Sequence, residues 1–87
     1  MGMNTPGGFG EFINVPVGWV VKKPDNLTSL EAMSIGTAGL TAAASVLKIY
    51  ESSKESDLPV LVSGATGGVG SIAVMLMSKL GKEVSAL

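Results

Sequence analysis

The sequence predicts an α/β fold built on one β-loop-α-β unit, with short strands and a helical region ahead of it. Three observations carry this. First, Leu58-Pro59-Val60-Leu61-Val62-Ser63 is an apolar run without alternation, the pattern of a parallel strand covered on both faces. Second, a glycine-rich turn, Gly64-Ala65-Thr66-Gly67-Gly68-Val69-Gly70-Ser71, follows at once. Third, Val69, Ile72, Ala73, Leu76, Met77 and Leu80 recur with the spacing of one helix face. Gly81 then suits the helix C-cap, and residues 83–87 make the next strand.

Upstream, Phe9, Glu11, Ile13 and Val15 share one parity and Phe12 the other, an imperfect alternation that predicts a strand over 11–15. Pro16 and Gly18 punctuate the chain, and Trp19-Val20-Val21-Lys22-Lys23 predicts a second strand ended by Pro24. Lys22 and Lys23 read as solvated charges at a sheet edge. Thr28-Ser29-Leu30-Glu31 has the spacing of a capping box, so a helix should begin near Ser29. Gly36 and Gly39, each costing about 1 kcal/mol against Ala inside a helix, should divide it, with a second helix over 38–50. Residues 51–57, rich in serine and charge, form a solvated connector.

Composition bounds the chemistry. The 87 residues suffice for one small core, and 46% are hydrophobic, too many for a disordered chain. Six basic residues, all lysine, against seven acidic ones give a net charge of −1, which offers no basic field for nucleic acid. Without cysteine or histidine the chain lacks thiol nucleophiles, disulfides, imidazole bases and the ligands of ordinary zinc sites, so no metal centre is expected. The first ten residues show neither a basic nor an apolar signal region, and glycines interrupt the uncharged stretch 58–78, so a cytoplasmic chain without a membrane span is expected.

The glycine loop is where chemistry concentrates. A first glycine permits a tight turn, a middle one lets backbone N–H groups approach an anion, and the last lets helix and strand pack closely. A pyrophosphate at the helix N-terminus is the anion such a loop would take, because the unpaired N–H groups and the positive end of the helix dipole meet it there without lysine or arginine. No Gly-Lys-Ser/Thr follows Gly70, which disfavours a nucleoside triphosphate loop. The competing reading is a purely structural turn. Thr66 and Ser71 are open to either local hydrogen bonding or phosphate contact, whereas Met75 and Met77 read as packing residues.

The loop resembles two families. As Ser63-Gly64-x-x-x-Gly68-x-Gly70 it is similar to the cofactor loop of short-chain dehydrogenases, in which, however, the loop lies near the N-terminus. As Gly64-x-x-Gly67-x-x-Gly70 it resembles the loop of zinc-independent medium-chain reductases. The upstream segments favour the second. Gly7-Gly8-Phe9-Gly10-Glu11-Phe12, Val15-Pro16 and Val20-Val21-Lys22-Lys23-Pro24 look like the closing strands of that family's GroES-like catalytic domain. Ile35-Gly36-Thr37-Ala38-Gly39-Leu40-Thr41-Ala42 is similar to the helical entry into its Rossmann domain in the acrylyl-CoA reductase and quinone oxidoreductase branch.

This resemblance implies incomplete domains: 1–28, C-terminal strands of a GroES-like domain, and 29–87, entry helices and the first β-α-β of a Rossmann-like dinucleotide-binding domain. It implies a fragment of an NADPH-dependent oxidoreductase reducing a C=C bond conjugated to a carbonyl, with an enone, acyl-CoA or quinone-like acceptor. The cofactor-binding candidates are Gly64, Ala65, Thr66, Gly67, Gly68, Val69 and Gly70 beneath the pyrophosphate. Thr41 would approach the nicotinamide side, or else bond to its own helix backbone. No catalytic residue is assignable, and the residue that reads the adenosine ribose is expected beyond Leu87. The isolated chain should be inactive, and a homo-oligomer or partner chain should cover its exposed apolar surface. The alternatives are a short-chain-type reductase fragment and a noncatalytic nucleotide-binding or interaction module.

Overall fold

The structure, a computed structural model, describes residues 4–87. Its elements are a 3-10 turn at Val17–Trp19, helix α1 (Ser29–Ser52), strand β1 (Val60–Val62), helix α2 (Gly68–Lys79) and strand β2 (Val84–Ala86). The chain divides into two compact units, one ending at Ser34 and the other spanning Ile35–Leu87.

In the first unit the two strands expected over 11–15 and 19–23 do not form. A strand is held by a ladder to a neighbour, and none of the described residues pairs with this segment. Pro16 and Pro24 also remove two donors. The chain instead closes a 3-10 turn in which Trp19 N–H donates to the Pro16 carbonyl at 3.0 Å and Val20 N–H to that of Val17 at 3.1 Å. Phe9, Phe12, Val17, Trp19 and Val21 remain exposed. Lys23 is exposed, as expected, and its ammonium donates to the carbonyls of Pro24 and Leu27 across the turn before α1.

The capping box forms. Glu31 N–H donates to Thr28 Oγ1 at 3.1 Å, and Thr28 N–H donates to Glu31 Oε2 at 2.8 Å, satisfying two donors that a helix start leaves orphaned. Gly36 interrupts α1 with non-helical dihedrals, φ 52° and ψ −156°. Gly39, the other expected divider, stays helical and buried. Its role is close packing, since a Cβ there would lie 2.1 Å from Ile35 Cγ2. By length and apolar composition alone α1 could cross a membrane, but the break at Gly36 falls inside it, and Gly39, Ala42 and Val46 are buried in the protein.

The second unit holds the β-α-β. Strands β1 and β2 run parallel, pairing Val60 with Val84, Leu61 with Ser85 and Val62 with Ala86. Ala42, Val46 and Met77 are its buried apolar side chains. Met77 is 1% exposed, and burying a side chain of that size is worth roughly 1.5–3 kcal/mol. Met75, also read as a packing residue, is instead 62% exposed, because it falls outside the face that carries Met77. β1 departs from its expected burial on both faces. Leu61 is 66% exposed while Val60 and Val62 are half-buried, since a two-stranded sheet with α2 packed against it leaves the other face open.

Helix α2 ends in a paired motif. Gly81 N–H donates to the Ser78 carbonyl at 3.0 Å and Lys82 N–H to that of Met77 at 3.1 Å. Gly81, at φ +81°, takes the left-handed position this reversal requires.

Candidate functional site

The loop 64–67 joins the carboxyl end of β1 to the N-terminus of α2, the end of a parallel sheet where ligands bind in open α/β folds. Gly64 turns the chain at φ +70°. The loop is held from below by the end of the second strand segment: the Leu87 carbonyl accepts from Gly64 N–H at 2.9 Å and Ala65 N–H at 3.2 Å, while Leu87 N–H donates to the Val62 carbonyl at 2.9 Å. Above the turn, Gly67 N–H donates to the Gly64 carbonyl at 3.0 Å, and the Gly67 carbonyl accepts from Ser71 N–H at 2.9 Å.

Gly70 sits where this turn and α2 meet. A Cβ there would lie 2.1 Å from the Gly64 carbonyl oxygen and 2.7 Å from its carbon, so only hydrogen fits. Gly67 caps α2 in an extended conformation, with no side chain bonded over the helix end. The N–H groups of Gly68, Val69 and Gly70 therefore have no intrahelical partner. No acidic side chain occupies the first turn, while Lys79 stands in the last. The positive end of the dipole is thus left uncompensated and the negative end is complemented.

Gly64, Thr66, Gly67, Gly68 and Val69 are exposed, and Ala65 and Gly70 half-buried. This leaves an open backbone mouth with donors directed outward, suited to an anion with several acceptor oxygens. Ser71 serves the helix itself, its hydroxyl donating to the Gly68 carbonyl at 3.3 Å. Thr66 is exposed at the mouth. Thr41 stands on α1 away from the loop residues in sequence. Its carbonyl accepts from Ser45 Oγ at 2.9 Å. The contact that brings α1 to the loop is made by Ala38, whose Cβ lies 3.4 Å from where a Cβ on Gly68 would stand. Thr41 is one helical turn further along.

Two contributors stand outside the glycine motif: Leu87 acts through its backbone and carries no sequence signature, and Ala38 acts through its smallness. The small-residue spacing of Ala38, Gly39 and Ala42 is the signal that could have marked α1 as a close-packing helix. A cavity of about 320 Å³ lies at the opposite end of the strands, lined in part by Tyr50, Lys54, Asp57, Lys82 and Glu83. It is remote from the glycine loop and on the side away from the strands' carboxyl ends. Among the described residues no cluster of three acidic side chains is placed to hold a metal ion.

The chain is similar in sequence to known oxidoreductases. The chain is 46% identical over 87 residues to YhfP of Bacillus subtilis, which its name assigns as a quinone oxidoreductase; the match takes in 99% of this chain. It is 42% identical over 82 residues, 93% of this chain, to the acrylyl-CoA reductase AcuI of Ruegeria pomeroyi. It is 36% identical over 77 residues, 87% of this chain, to an NAD-dependent alcohol dehydrogenase of Sulfolobus acidocaldarius. The chain spans about a quarter of the first two relatives, 26% and 25%, and 21% of the third. No protein-family model and no solved structure matches it.

Proposed function

We propose, from the premise that this chain belongs to the medium-chain dehydrogenase/reductase family, that it carries the pyrophosphate-binding part of a dinucleotide-dependent reductase. The observation that carries the proposal is the uncapped N-terminus of α2. Its free N–H groups open between exposed Gly67 and Gly68, and Gly70 is locked against Gly64 beneath them. The residues fit a dinucleotide. Gly68, Val69 and Gly70 would donate backbone hydrogen bonds to the pyrophosphate, Thr66 would add a hydroxyl at its rim, and the α2 dipole would stabilise its charge. Thr41, one turn beyond the Ala38 contact, would face the nicotinamide half.

When bound, the cofactor supplies a hydride, and this chain supplies binding and orientation. The names of the relatives, an acrylyl-CoA reductase and a quinone oxidoreductase, support reduction of an acyl-CoA or quinone-like acceptor at a C=C bond conjugated to a carbonyl; the proposed donor is NADPH. Residues 4–28 would serve as closing strands of a GroES-like domain once paired with further chain. The complete enzyme would be a soluble, zinc-independent cytoplasmic protein.

Calorimetric titration of the folded chain with NADPH, NADH and ADP decides between binding and a structural turn. Saturable binding of the three, lost when the pyrophosphate is absent as in adenosine, is expected. Absence of binding to a chain with intact circular dichroism would reject the dinucleotide reading.

A further inference from the structure

Lys82 is a half-buried lysine of the second unit with two long-range partners. Its ammonium donates to the Ser53 carbonyl at 2.9 Å and to the Ser56 carbonyl at 2.7 Å, across sequence separations of 29 and 26. The acceptors belong to the connector that leaves α1, and the donor to the turn that leaves α2. Each segment leads directly into a strand, the connector into β1 and the turn into β2.

The connector has little else to hold it. Ser53 N–H reaches the Tyr50 carbonyl at 3.3 Å, Ser56 N–H the Ser53 carbonyl at 3.0 Å, and Leu58 N–H the Ser56 hydroxyl at 3.3 Å. All three bonds are local. A carbonyl just past a helix C-terminus carries the negative end of the dipole, and a cation there makes hydrogen bonds that are charge-assisted. The backbone of Lys82 is fixed independently, because its N–H closes the paired motif at the end of α2. Its side chain therefore projects from a rigid anchor toward a loosely held loop.

We infer that Lys82 is a clasp: its ammonium fixes the path of the connector and so sets where β1 begins against β2. Val60 N–H, the first ladder donor of β1, meets the Glu83 carbonyl at 2.9 Å, immediately after Lys82 in the chain. One residue pair thus joins the two strand entries through the backbone, and Lys82 joins them again through its side chain. This role is separate from the proposed dinucleotide binding, which would occupy the other end of the strands.

Amide hydrogen exchange on the full chain tests the clasp. In Lys82→Met, the amides of Ser53, Ser56 and Leu58 should exchange about tenfold or more faster, the order expected for loss of a charge-assisted hydrogen bond, with α2 amides unchanged. Lys82→Arg should restore slow exchange. Wild-type rates in the methionine variant, or uniform acceleration that includes α2, would overturn the assignment. A measurement on the wild type needs no variant to fold. The Lys82 ammonium protons should be protected and visible in a lysine-selective nitrogen–proton spectrum while those of exposed Lys54 and Lys79 are not. Equal behaviour of the three lysines would also overturn it.

Discussion

Gly70 and Gly64 approach so closely that the space for a side chain on one is filled by the backbone of the other: a Cβ on Gly70 would stand 2.1 Å from the Gly64 carbonyl oxygen. That oxygen already accepts from Gly67 N–H. Moving it to make room would open the turn that presents the helix N-terminus.

Gly70→Ala should therefore damage folding and the loop together. The added methyl meets backbone and not a flexible side chain, so overpacking of about 1–3 kcal/mol is expected. Urea unfolding of the two forms checks this, and equal midpoints would show that the turn yields easily.

Gly67→Val separates binding from stability. Gly67 is exposed and extended, a backbone conformation valine accepts; a Cβ there would lie 3.3 Å from the Gly64 carbonyl oxygen, a tight contact but far milder than the one at Gly70, and the branched side chain would cover the donors of Gly68 and Val69. Dinucleotide affinity should fall at least tenfold while the unfolding midpoint falls less than in Gly70→Ala. Fluorescence titration with NADPH reads the first and urea the second, and unchanged affinity would remove the loop mouth from the binding surface.

Thr28→Ala removes one half of the capping box. The Glu31 N–H loses its acceptor, and a loss of about 0.5–2 kcal/mol is expected. Helix content near residue 31, followed by amide exchange at Glu31 and Ala32, should fall without effect on the β-α-β unit.

A complete enzyme containing this segment should prefer NADPH to NADH. Comparison of kcat/KM for the two cofactors with an acrylyl thioester decides the matter, and a preference for NADH would reverse the cofactor assignment while leaving the loop's role intact.

The 87-residue chain by itself should oxidise no NADPH and should self-associate. Leu61, Met75, Leu47 and Leu40 are all more than half exposed, and a two-stranded parallel sheet lacks cover. Sedimentation and an NADPH oxidation assay with an enone test this, and a stable monomer with turnover would contradict it.

The β-α-β unit was legible because its determinants are local: an apolar run, a glycine loop, a helical stripe and Gly81 follow each other in one stretch. The capping box of Thr28 and Glu31 was legible for the same reason. The strands over 11–15 and 19–23 were not, because alternation records which side of a strand would be buried and says nothing of whether a neighbour exists to pair with. Gly39 illustrates the other limit. Its low helix propensity suggested a break, yet the contact with Ile35 makes the missing side chain useful. Leu87 and Lys82 act on partners more than twenty residues away, through a carbonyl and an ammonium, and no spacing rule marks such pairs.

The Leu87 carbonyl has a consequence for the order of events during synthesis. Gly64 and Ala65 are fastened to it, so the glycine loop cannot take its final shape when its own residues emerge from the ribosome. At about 5–20 residues per second, the strand that secures it arrives roughly one to five seconds later. Through that interval β1 has a free edge and α2 a free apolar face. The nascent unit is open to chaperones, or to another nascent copy, in the moments before its glycine loop is completed.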